Sequence, residues 1–126
     1  MRTQSRIGHL DTFTLAYLEC ALWSSMDNSR ENGGDPLDDN YGIEDMAQSA
    51  IDSAVEDCND FQQAHAELIG DKSERAGHDF WLTRNHHGAG FWDGDWPKEA
   101  GKVLTDAAHV YGSVDLYVGD DGLIYS

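Results

Sequence analysis

A chain of 126 residues carrying 24 acidic and eight basic side chains, with a formal charge of −16 at pH 7, is long enough for one hydrophobic core. It is too acidic to hold nucleic acid or an anionic membrane by electrostatics. Hydrophobic residues at 40% and only two prolines argue against wholesale disorder, and two cysteines without CxxC spacing exclude a zinc ribbon or a secreted disulfide framework.

Phe13, Tyr17 and Cys20, with Leu22 or Trp23, recur at spacings of three and four and predict a first helix from Asp11 to Met26, with Asp11 or Thr12 as its N-cap. The following DNSRENGGDPLDDNYG supplies turn chemistry and predicts an acidic loop over 27–42. From Ile43 to Ile69 the apolar residues Ile43, Met46, Ala47, Ala50, Ile51, Ala54, Val55, Cys58, Phe61 and Leu68 keep a helical period that stops before Gly70. One long helix is expected there.

Beyond the link DKSERAG, the aromatics of FWLTRN and FWD flank a glycine-rich stretch and predict a hairpin turning at Gly88 and Gly90, with Trp81, Phe91 and Trp92 as its core. WPKEAGKVLTDAAHVYG predicts a helix with Pro97 in its first turn and Val103, Leu104, Ala107 and Val110 on one side. The ending VDLYVGDDGLIYS reads as strand, Asp-Gly turn and strand. The expected fold class is α+β in the order α-α-β-β-α-β-β, a single domain over 1–126 whose two hairpins form one small antiparallel sheet on a scaffold at 77–126.

No 18-residue apolar run suited to crossing a bilayer occurs, and the N-terminal stretch MRTQSRIGHL lacks the apolar segment of a signal peptide. With Cys20 and Cys58 at helical apolar positions, a reducing cytoplasm without a membrane partner is the expected setting.

Chemistry-bearing motifs are scarce. There is no GxSxG, no P-loop and no dinucleotide fingerprint, and DDNYGIED does not place ligands and glycine as a calcium-binding EF-hand loop does. His78, His86 and His87 with Asp79 or Asp93 have ligand chemistry for zinc, iron or manganese, but their spacing follows no HExxH or paired-cysteine pattern. They are expected to be turn and scaffold residues, and no catalytic residue, metal or cofactor is assigned.

The charge is segregated. Asp27 to Asp60 holds eleven acids and one base, Arg30, and no lysine precedes Lys72. On one continuous helix Asp45, Asp52 and Glu56 fall within about 40° of one another and Asp60 about 40° further round. Like charges on adjacent turns cost a few tenths of a kcal/mol per pair, so a repeated cost implies a use unless the face merely keeps the protein hydrated.

The runs GHDFWLTRN and HGAGFWD and the ending VDLYVGDDGLIY resemble a family of small uncharacterised proteins encoded by tailed bacteriophages. The resemblance covers Gly77 to Tyr125. It implies a phage origin and a role inside the host bacterial cytoplasm, and it assigns no catalytic residue.

Together these readings predict a non-enzymatic DNA mimic that inhibits a basic DNA-binding host protein. Carboxylates four and seven residues apart on a helix rise about 6 and 10.5 Å, comparable with every second or third phosphate of a strand. The expected partner surface is Asp35, Asp38, Asp39, Asp45, Asp52, Glu56 and Asp60. DNA gyrase is the first target to consider, followed by a nuclease, RNA polymerase or a nucleoid protein. The alternatives are a small metal-dependent enzyme using the histidines and an acidic structural or assembly protein.

Overall fold

The computed structural model describes residues 10–27, 35–87, 89–92 and 96–126. Helix α1 (Thr12–Ser24) starts where the Asp11 carboxylate accepts the Thr14 N–H at 2.8 Å, as its sequence predicts. A two-residue strand β1 (Met26–Asp27) pairs antiparallel with β2 (Asp35–Pro36), and a 3₁₀ turn at Leu37–Asp39 follows. A second 3₁₀ turn, Ile43–Asp45, precedes α2 (Gln48–Ala64).

The single helix expected over 43–69 is therefore three pieces. Met46 and Ala47 are extended, with Met46 bridged to Ile124 and the Ala47 N–H donating to the Ile124 carbonyl at 2.8 Å. A tertiary partner has taken the backbone that a continuous helix would have used. At the other end the chain leaves helical geometry at His65, and the one-turn helix α3 (Ala66–Ile69) stops at Gly70 in a left-handed conformation, φ 57°.

The larger correction is α4 (Ser73–Arg84). Phe80 to Arg84 are helix, not the first strand of a hairpin, so the α-α-β-β-α-β-β order holds only in part. Ala76, Gly77, Phe80, Trp81 and Arg84 are buried at helical intervals, but so are Asp79, Leu82 and Thr83. A helix enclosed on nearly all sides shows little amphipathic contrast in its sequence, and β-favouring aromatics then mislead.

Helix α5 (Lys98–Val110) starts after Pro97, near the predicted start. Its buried line is Gly101, Leu104 and Ala108, whereas Val103 and Val110 are exposed. The terminal hairpin forms as predicted: β3 (Tyr117–Val118) pairs antiparallel with β4 (Ile124–Tyr125) around Gly122, φ 82°. The two strand pairs do not join into one sheet. The architecture is α+β, mostly helical, with very short antiparallel strands.

The buried side chains form one cluster drawn from α1, α2, α4, α5 and β4. At its centre Phe61 of α2 stacks on Phe80 of α4, with ring centroids 4.3 Å apart, and Phe13 and Phe91 lie within about 6 Å of Phe61. Helix α1 packs chiefly on α4. Gly77 permits the closeness: a Cβ there would stand 2.1 Å from the Phe13 carbonyl oxygen. Trp81 and Phe91 are buried as expected, but Trp92 is 47% exposed and contributes less to the core than the sequence suggests. Trp81 donates its indole N–H to Ser24 Oγ at 2.7 Å and Trp96 donates to the buried Asp79 at 2.8 Å, so both interior indoles are satisfied.

Candidate functional site

Helix α2 turns Ala50, Ile51, Ala54, Cys58 and Phe61 inward. Asp52, Glu56 and Asp60, four residues apart, lie on the opposite side and are exposed. Among the described residues no lysine or arginine is within 4.0 Å of these three carboxylates. Their hydrogen bonds come from neutral groups: Gln48 Nε2 donates to Asp52 at 2.6 Å and the Tyr111 hydroxyl to Asp60 at 2.7 Å. The Tyr111 pKa is raised, first by desolvation and then by Asp60.

The other predicted surface residues are placed differently. Asp45 accepts the Gly42 N–H at 2.8 Å and belongs to the turn before α2, so it is not the first member of the helical row. Asp38 and Asp39 are exposed on the first 3₁₀ turn, with Leu37 between β2 and Asp38 buried in the core. Asp35 lies in β2. The structure thus brings together Asp52, Glu56 and Asp60 and separates them from the remaining four by element.

One carboxylate on α2 does meet a base. Asp57 faces the interior edge and accepts from Arg84 Nη1 at 2.9 Å. Arg84 is 2% exposed and spends its other donors on the Tyr17 hydroxyl, the Tyr111 carbonyl and the Gly112 carbonyl, at 2.8 to 3.0 Å. A guanidinium at the carbonyl end of α5 complements that helix's dipole. Reading Arg84 as a strand residue hid this role; the signal that could have found it is its spacing of four from Phe80 and seven from Gly77.

The histidines are dispersed. His78 is half-buried on α4, with Nδ1 4.0 Å from Asp79, whose other oxygen is taken by Trp96. His86 lies just beyond the helix at φ 58°, about 12 Å further on at helical rise, and stacks on His109 at 4.5 Å. His87 is half-buried, and Asp93 lies outside the described residues. Among the described residues no three His, Cys, Asp or Glu side chains are grouped to hold a metal ion. Burial pushes the Cys20 thiol up to about 12 and that of Cys58 higher still, which keeps both protonated and poorly nucleophilic near neutral pH.

None of the described helices is long and apolar enough to cross a membrane. The chain matches no protein family, no curated protein and no solved structure.

Proposed function

We propose that this is a phage-encoded, non-enzymatic DNA mimic that acts in the bacterial cytoplasm, with Asp52, Glu56 and Asp60 of α2 presented to the DNA-binding groove of a basic host protein. The observation that carries the reading is the solvent-facing row itself: three carboxylates at successive intervals of four residues, on the side of α2 opposite its core residues, with no cationic partner among the described residues. Each interval rises about 6 Å, so the row imitates a line of phosphates in charge and spacing. Asp38 and Asp39, exposed on the first 3₁₀ turn, extend the negative surface. Asp45 contributes through its turn and not as a contact.

The test is affinity capture from bacterial lysate with and without excess duplex DNA, with DNA gyrase as the first target assayed. Duplex DNA is expected to displace the captured protein. Asp52→Asn, Glu56→Gln and Asp60→Asn together should weaken capture at least tenfold and flatten its dependence on salt, because interfacial charges govern encounter and salt sensitivity. Equal capture by a folded triple variant at low ionic strength overturns the proposal, as does tight binding of the protein to DNA alone.

A further inference from the structure

We infer that the open cleft between α1 and α4 binds an arginine side chain presented by a protein partner. The inference rests on this cleft, which shares Asp38 with the proposed function but none of the row on α2. The cleft has a volume of about 720 Å³. Glu19 and Trp23, four residues apart on α1, form one wall; Glu74, Arg75 and His78 of α4 form the other; Asp38 on the first 3₁₀ turn closes a third side. Among the described residues, three that carry carboxylates line the space beside one that carries a guanidinium, Arg75.

The indole of Trp23 distinguishes this place from the rest of the acidic surface. Helix α1 buries Phe13, Tyr17, Leu18 and Leu22, yet Trp23 is 57% exposed, with its ring 6.1 Å from that of His78 and inclined at 34°. Carboxylates alone attract any cation. An aromatic wall in a concave site adds a preference for a flat one, because a guanidinium can stack on the ring while its N–H groups fork onto carboxylates, and it is more weakly hydrated than an ammonium. Glu19, Asp38 and Glu74 come from three separate elements, so a cation held among them meets acceptors from more than one direction. The volume leaves room for the aliphatic stem and the flanking peptide backbone of the partner.

The experiment is a titration of the full chain with N-acetyl-arginine amide, followed by two-dimensional NMR at the Trp23 indole N–H and at the backbone amides of Glu19, Asp38 and Glu74. Saturable shifts at these positions are expected. The neutral isostere N-acetyl-citrulline amide should give none, and N-acetyl-lysine amide should bind several-fold more weakly. Trp23→Ala should weaken arginine binding about tenfold, a loss in the range of one desolvated cation–aromatic contact. Glu19→Gln with Glu74→Gln should do the same while the indole remains in place. Asp115→Asn with Asp120→Asn, at exposed carboxylates outside the cleft, should leave the affinity unchanged. Shifts spread over all acidic surfaces without saturation, undiminished binding to Trp23→Ala, or equal affinity for the lysine probe overturns the inference.

Discussion

Helices α2 and α4 meet at the Phe61–Phe80 stack, and beyond that contact they are opposites. Helix α2 divides its surface between an apolar face and a row of carboxylates in water. From Ala76 onward helix α4 is enclosed on nearly every side except at His78, by α1 across Gly77, by α5, and by the chain around Phe91. The contrast separates two tasks: α4 holds the molecule together and tolerates little change, whereas the outer face of α2 makes a tertiary contact only where Asp60 meets the Tyr111 hydroxyl, among the described residues, and can be given to recognition.

The sharpest way to break that contrast is to empty the centre. Phe80→Ala removes a fully buried ring and should cost about 3 to 5 kcal/mol in urea or thermal unfolding; a loss below about 1 kcal/mol would mean that α4 is not the centre of the core. Gly77→Ala comes next. Its methyl would collide with the Phe13 carbonyl oxygen, and an overpacking loss of about 1 to 3 kcal/mol is expected, although alanine favours the helix. A neutral or stabilising result would show that α1 and α4 stand further apart.

Asp11 sharpens the comparison from outside, since its carboxylate caps α1 and also accepts from Gln62 of α2 at 3.1 Å. Burial opposes its ionisation, but the hydrogen bonds from Thr14 and Gln62 outweigh burial and hold its pKa below the ordinary 3.8. A depressed folded value means that its stabilising contribution is complete above 3.8 and disappears as pH falls through the lower folded value. Asp11→Ala should therefore cost about 1 kcal/mol at neutral pH. Chemical denaturation across pH should show the difference from wild type shrinking at strongly acidic pH; a pH-independent difference would remove the carboxylate from the account.

The smallest effect belongs to the outer face of α2. Asp52→Asn with Glu56→Gln relieves repulsion between adjacent turns and should leave stability unchanged or raise it by a few tenths of a kcal/mol. A clear destabilisation would show that the row is structural and would remove its freedom to serve a partner.

The same contrast explains what could be read before folding. The inner and outer faces of α2 differ in polarity, so its helical period and the row of Asp52, Glu56 and Asp60 are visible in the residue order. The cap at Asp11 and the turn at Gly122 are equally local. Helix α4 was hidden because Asp79, Thr83 and Arg84 are as buried as Phe80, so that beyond its first turn polar residues do not mark an exposed face and the pattern has little phase to detect. Asp45 left the predicted row because Met46 and Ala47 pair with Ile124, a partner far away in the chain. Likewise Trp23, Asp38 and Glu74 face one space only after α1, the 3₁₀ turn and α4 have assembled, which no local spacing encodes.

Arg84 bears on how the protein comes apart. Its side chain belongs to α4, but its hydrogen bonds end on Tyr17 of α1, Asp57 of α2 and the two carbonyls that close α5. Fraying of α5 from its carboxyl end would strip those two carbonyls from the guanidinium and leave a buried charge with fewer partners, a costly intermediate. Partial opening is disfavoured on that side, so the amides of α5 should exchange their hydrogens with solvent in step with those of α1 and α4, as members of one cooperative unit and not as a loosely attached final helix.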